Sequence, residues 1–152
     1  MEGSSWASSL ATRRSMQANR SRDTGPELAL RRALHGLGLR YRVCVRPIPT
    51  VARTADVVFR PSRVAVEVLG CFWHGCSEHY KAPHANADYW AEKVARNRGR
   101  DEENARTLCE AGWALEVVWE HEDPDLASRR IAALVRERRP APAIQNVRVH
   151  PR

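Results

Sequence analysis

The sequence predicts a single small α/β domain, a mixed β-sheet flanked by helices. Three observations predict it. Apolar periodicity runs in the order helix, three short strands, long helix, strand, helix, and such a succession closes as layers around one core. A chain of 152 residues can bury one core of that kind and is short for two. Hydrophobic content of 43% with 28% charged residues fits a soluble globular protein, and no apolar run approaches the roughly 20 residues a membrane span needs.

Residues 1–20 are rich in Ser, Ala and Arg and lack a helical apolar stripe, so they are expected to form a flexible N-terminal arm, ordered on a partner. The domain proper is expected over 21–139. Thr24-Gly25-Pro26-Glu27 opens the first helix: Thr24 can cap, Pro26 suits an early helical position, and Glu27 can close a capping box. Leu30, Leu34 and Leu37 supply its apolar face, and Gly36 and Gly38 bracket its end.

Strands are predicted at Tyr41–Val45, Asp56–Phe59 and Val64–Leu69, separated by Pro47 and Pro49 and then by a Pro61-Ser62 turn. Residues 70–87 are irregular, and a long helix follows from near Asp88 to Glu110, with Gly112 as its stop. Ala114–Trp119 is expected to be a buried strand. Asp123-Pro124 opens a last helix that turns Ile131, Leu134 and Val135 inward. Residues 140–152, with three prolines and a basic end, form an expected flexible tail. There is no internal repeat and no second domain.

The net charge is +7 with a pI of about 9.9, and only Lys81 and Lys93 are lysines. The planar fork of arginine suits phosphate and base-edge contacts, so the bias is compatible with nucleic-acid binding. A GC-rich coding sequence would leave the same arginine excess, so composition alone does not decide between them. The N-terminus carries Arg13 and Arg14 but no apolar stretch before a cleavage site, which predicts a cytoplasmic protein. Cys44, Cys71, Cys76 and Cys109 are then expected as thiols or metal ligands rather than disulfides.

Asp56 and Glu67 stand 11 residues apart on strands joined by a tight turn, which can bring both carboxylates to one sheet edge. Hard oxygen ligands of that kind hold Mg²⁺, and many nucleases of the PD-(D/E)xK architecture use the arrangement. Taken alone the spacing is weak, since Asp at a strand start and Glu on a solvated strand face are common. The lysine two positions after the Glu is missing, with Leu69 in its place.

Gly70-Cys-Phe-Trp-His-Gly-Cys-Ser-Glu-His79 is far more specific. Cys71, Cys76 and His79 can offer three soft or borderline donors to a tetrahedral Zn²⁺. His121 is the expected fourth, with Cys109 as its rival. Two buried cysteines beside satisfied histidines is the bland alternative, but glycines and polar neighbours make this segment a poor piece of core. Phe72 and Trp73 lie between the ligands, where a fixed loop could hold them as wedges for unstacking bases, and Trp90 is a further candidate.

His74 can act as a metal ligand or a catalytic base. Asp101 can orient it or pair with an arginine. Lys93, Arg96, Arg98 and Arg100 suit phosphate contact, although a solvated helix face looks the same. For Glu27 the capping-box role is the default.

Together these residues resemble the Vsr (very short patch repair) DNA mismatch endonuclease family. The resemblance rests on Gly70-Cys-Phe-Trp-His74 and the following Cys/His pair. Further pieces occur in the family's order: Met16, Arg22-Asp23-Thr24 with Glu27, Asp56, Tyr89-Trp90 with Glu92-Lys93, Asn97 with Arg100-Asp101, Gly112-Trp113, and Trp119-Glu120. It covers roughly residues 14–122.

The resemblance implies a restriction-endonuclease-like fold with a structural zinc, held by Cys71, Cys76, His79 and His121. It implies a monomer that acts on double-stranded, mismatched DNA in the cytoplasm, at the nucleoid. Its reaction would be Mg²⁺-dependent nicking 5′ of the T in a T:G pair. Asp56 would bind Mg²⁺, His74 would be the base, Asp101 would orient it, and Glu27 would support the site. Phe72, Trp73 and Trp90 would enter the duplex, and Met16 on the arm would approach from the other side. Arg22 and Lys93 would contact DNA.

Three places depart from the family. Thr54-Ala55 precede Asp56, where Arg-Pro or similar is usual. Glu67 stands where an apolar residue is usual, and Leu69 where a His or Asp is usual. Glu67 is therefore expected as a second Mg²⁺ ligand. The other readings are a related nuclease for different lesions or modified DNA, and a zinc-stabilised DNA-binding module whose catalysis has lapsed.

Overall fold

The computed structural model describes residues 22–141. The expected arm over 1–20, with Met16, lies outside them, as does nearly all of the expected tail over 140–152. The described residues form helix α1 (Gly25–Gly36), strands β1 (Arg42–Val45), β2 (Ala55–Phe59) and β3 (Val64–Leu69), helix α2 (Ala87–Glu110), strand β4 (Ala114–Trp119) and helix α3 (Pro124–Glu137). The predicted order holds throughout.

The four strands lie in the order β1-β2-β3-β4. The first two pairings are antiparallel, as short connections allow, and β3 pairs with β4 in parallel. A parallel pair needs a crossover, and α2 supplies it. Strand alternation then sorts the side chains by face. Val57, Phe59, Val64 and Val66 meet Leu30 and Leu34 of α1 and Ile131 and Val135 of α3. On the other side Val58 and Ala65 meet Leu108 of α2, with Trp113 and Leu115 packed around them. The result is a sheet with α1 and α3 on one face and α2 on the other. Leu34 and Ile131 are fully buried, so truncating either to Ala costs about 2–5 kcal/mol.

Two expectations need correction. Leu37 does not join the apolar face: α1 ends at Gly36, Leu37 is the C-cap, and its side chain is 37% exposed. The strand Ala114–Trp119 is only half-buried, with Val118 alone fully covered, because β4 is an edge of the sheet.

Helix α2 has 24 residues, a rod of about 36 Å at 1.5 Å per residue. Only Trp90, Val94, Asn104 and Leu108 on it are buried. Its remaining charge faces outward, apart from a stripe that meets the irregular segment after β3. None of the described helices is long and apolar enough to cross a membrane.

Candidate active site

Register places the two sheet carboxylates together. Val57 pairs with Val66 and Val58 with Ala65, so the next step of the same ladder sets Asp56 opposite Glu67, on one face. Asp56 accepts the Val68 N–H at 2.7 Å. Glu67 is only 5% exposed. Its Oε1 accepts from Asn104 Nδ2 at 2.8 Å and lies 3.4 Å from Arg53 Nε. Its Oε2 is buried without a hydrogen-bond partner among the described residues.

Burial drives both carboxyl groups above their ordinary range. For Asp56 the Val68 N–H opposes that rise, while the charge of Glu27 adds to it. For Glu67 Arg53 opposes it, and Asp101 and Asp56 add to it. Like charges gathered in a partly desolvated place favour proton uptake or a cation. The orphaned Glu67 oxygen and the Asp56 carboxylate are hard donors of the kind a divalent cation such as Mg²⁺ accepts. Leu69, two positions on, is buried and offers no donor.

After β3 the chain leaves the sheet in a tight loop. The His74 N–H bonds the Gly70 carbonyl at 3.1 Å, and the Cys76 N–H bonds that of Cys71 at 2.9 Å. Gly75 sits at φ +63°, and a Cβ there would lie 2.7 Å from Val94 and 2.9 Å from Arg98, so this turn requires glycine. Helix α2 straps the loop down: Asn97 Nδ2 donates to the Trp73 carbonyl at 2.7 Å, and Arg98 donates to the carbonyls of His74 and Gly75. From the other side Glu120 accepts the Cys71 N–H at 2.7 Å.

The strapped loop brings His74 Nδ1 to 2.5 Å from Asp101 Oδ2. With Nδ1–H donated to the carboxylate, Nε2 is left as the basic nitrogen. Histidine and sheet carboxylates belong to one neighbourhood, since the His74 charge acts on Asp56.

One step further along the loop, Cys71, Cys76, His79 and His121 offer donor atoms that all lie within 4.8 Å of one another. Cys71 Sγ is 3.1 Å from His121 Nδ1, and Cys76 Sγ is 3.8 Å from Nδ1 of both His79 and His121. Bond lengths of about 2.1–2.3 Å to a tetrahedral ion require donor separations of about 3.5 Å, so the set fits one. His121 Nε2 lies 3.7 Å from a carboxylate oxygen of the exposed Glu78, an ion-pair distance longer than a hydrogen bond. Burial, with Cys76 beside it, pushes the Cys71 thiol up to about 11; a cation would draw off that proton. Cys109 is exposed on α2 and outside the cluster.

The remaining expected residues fall in different settings. Phe72 and Trp73 are half-buried and stack edge-on at 5.3 Å. Trp90 is 5% exposed and lies beneath them, with centroids 5.1 Å from Phe72 and 5.8 Å from Trp73. Glu27 accepts from the Asp23 N–H at 3.0 Å, the Thr24 hydroxyl at 3.0 Å and Arg31 at 3.2 Å, which ties down the start of α1. Arg22 is exposed and pairs with Asp23 at 3.7 Å, and Lys93 is half-buried.

Sequence reasoning missed Arg53, Asn104 and Glu120 as members of this neighbourhood. One signal was available. Trp90, Val94, Asn97, Asp101, Asn104 and Leu108 recur every three or four residues, a continuous stripe on one helix face in which the polar positions mark the site.

Carboxylates paired on a sheet beside a carboxylate-held histidine, with an arginine-rich helix running past, define the class of protein: a small α/β nuclease. Comparison with known proteins narrows the class. Residues 9–80 match the family model of the DNA mismatch endonuclease Vsr. The chain is 46% identical over 112 residues to the type II nicking enzyme V.NaeI of Lentzea aerocolonigenes, covering 72% of this chain and 68% of that one. It is 40% identical over 114 residues to the type II nicking enzyme V.XorIIP of Xanthomonas oryzae pv. oryzae, covering 74% and 82%. It is 36% identical over 112 residues to the DNA mismatch endonuclease Vsr of Escherichia coli K12, covering 72% and 70%. This chain belongs to the Vsr endonuclease family and is a DNA endonuclease.

Proposed function

We propose that this enzyme nicks one strand of duplex DNA on the 5′ side of the T in a T:G mismatch, by Mg²⁺-dependent hydrolysis, in very short patch repair. The observation that carries the proposal is the His74–Asp101 pair, 2.5 Å apart, beside the Asp56–Glu67 carboxylates. The match to a family named for mismatch endonucleases supports the substrate.

Asp56 and Glu67 would hold Mg²⁺, which when bound polarises a phosphate oxygen and neutralises charge developing on phosphorus. His74 Nε2 takes the proton of the attacking water, and Asp101 stabilises the imidazolium that forms. Cys71, Cys76, His79 and His121 would hold a structural Zn²⁺ that keeps the loop, and with it His74, in place. Phe72 and Trp73 present apolar rings to the duplex, with Trp90 as the base they stand on; entry between base steps costs a few kcal/mol per step. Arg22 and Lys93 contact the backbone, and Met16 approaches from the arm. Glu27 supports the site indirectly, through the start of α1. The enzyme acts as a monomer on DNA in the cytoplasm.

Labelled duplexes carrying T:G, T:I, G:G or 5-methylcytosine pairs, with Mg²⁺ and with EDTA, test the proposal. Nicking confined to T:G with Mg²⁺ is expected. Equal nicking of fully paired DNA would sink mismatch specificity, and undiminished nicking in EDTA would sink the metal requirement.

A further inference from the structure

Arg53 lies in the segment leading into β2, three residues before Asp56, and has no role in the function proposed above. Its side chain is one-third exposed and reaches three acceptors. One terminal nitrogen donates to Asp101 Oδ1 at 2.9 Å and the other to the Arg100 carbonyl at 3.1 Å, while Nε lies 3.4 Å from Glu67 Oε1. Asp101 gives its other oxygen to His74. Glu67 receives Asn104 on the same oxygen that faces Arg53, and its second oxygen has no partner among the described residues. One guanidinium thus touches both the carboxylate that orients the histidine and the carboxylate that shares a sheet face with Asp56.

We propose that Arg53 is a positioning residue that locks these two halves of the site together. It selects which Asp101 oxygen faces His74 and which Glu67 oxygen stays open. The planar fork makes this possible, because its N–H directions are fixed relative to one another. A lysine ammonium in the same place keeps the charge and loses the directions. Like charge supplies a second reason: Asp101 disfavours ionisation of Glu67, and the Arg53 guanidinium between them opposes that effect. The competing role is a contact to a DNA phosphate, which the exposed part of the side chain could make.

The rate arm of the test rests on the nicking function above; a second arm does not. In Arg53→Met the single-turnover rate at saturating duplex is expected to fall about 100-fold, and in Arg53→Lys about 10-fold, as misdirected groups lose their alignment. Duplex Kd is expected to stay within about threefold and the salt slope unchanged, whereas loss of a phosphate contact would lower both affinity and slope. A cavity of about 260 Å³ lined by Arg53, Asn104 and Thr107 opens at this point, so added methylguanidine is expected to restore part of the Arg53→Met rate and none of the Arg53→Lys rate.

Unchanged rates in both variants, or a rate loss matched by lost affinity, would overturn the proposal. Independently of activity, ¹⁵N shifts of the His74 ring are expected to show the Nδ1-protonated tautomer in the native protein and a mixed one in Arg53→Met. The opposite native tautomer, or one that Arg53→Met does not move, overturns it as well. A native protein that nicks no duplex would defeat the proposed function while the tautomer still judged Arg53.

Discussion

The segment from Glu67 to His79 serves two donor sets of opposite character. At its start Glu67 stands on a strand, and its partner Asp56 comes from the neighbouring strand by register. At its end Cys71, Cys76 and His79 stand on an irregular loop and converge with His121. Strand register positions the oxygen donors, so that set would leave positions open on the proposed Mg²⁺ for a substrate phosphate. The sulfur and nitrogen donors converge on a loop rather than on a ladder, a closed set that would surround the proposed Zn²⁺ on all sides. Rigidity comes from hydrogen-bonded strands in one case; in the other Asn97, Arg98 and Glu120 hold the loop, and the proposed Zn²⁺ would add chelation.

The sharpest way to break this contrast is to remove a soft donor. Cys76→Ser is expected to lower bound zinc from one per chain to almost none by elemental analysis, and to lower Tm by about 10 °C or more, because binding energy of a structural zinc is folding energy. Nicking should fall by more than about 1,000-fold as the loop loses His74. If Cys76→Ser keeps its zinc and its Tm, the closed set is not a metal site.

His74→Ala is the next largest effect. It should lower the single-turnover rate by about 10²–10⁴-fold, with duplex affinity and zinc content nearly unchanged. A rate within threefold of native would remove His74 from the chemistry.

Glu67→Gln separates the hard set from the soft one. The expected outcome is a tenfold or greater rise in the Mg²⁺ concentration needed for half-maximal nicking, with zinc retained. Unchanged Mg²⁺-dependent nicking would exclude Glu67 as a ligand. Stability should move the other way. Burial raises the Glu67 carboxyl above its ordinary value, so its ionised form is disfavoured by folding, and that cost grows as pH rises through the folded-state value. In EDTA, calorimetry should therefore find Glu67→Gln more stable than native at neutral pH, with the gap closing in acid as Glu67 takes up its proton.

Glu27→Gln should be the mildest, costing about 1 kcal/mol of stability through the weakened helix start. Nicking should change less than threefold. A larger loss of rate at full occupancy would make Glu27 part of the site rather than a support for α1.

Much of this neighbourhood could be read before any coordinates. The Pro61-Ser62 turn and the 11-residue spacing put Asp56 and Glu67 on adjacent strands, and the antiparallel register does bring them opposite. The Cys71–His79 spacing and the place of His121 just past a strand pointed to the cluster that forms, with Cys109 as the rival that stays outside it. What escaped depended on distance folded back through space. Arg53 precedes β2 by two residues, and nothing local says that its side chain will meet α2. The apolar run of β4 suits a central or an edge strand equally well, since periodicity carries no information on strand order. Leu37 continues the apolar spacing of α1, but the helix stops one residue before it.

The contiguity of strand and Cys/His loop also constrains how this protein can change over generations. Between Glu67 and Cys71 lie only Val68, Leu69 and Gly70. An inserted residue there would turn one donor set through half a strand period relative to the other. Substitutions can accumulate in this stretch, as Leu69 illustrates, but length cannot drift. Variation in length is expected instead where no donor or positioning residue stands, as in the connection between α1 and β1.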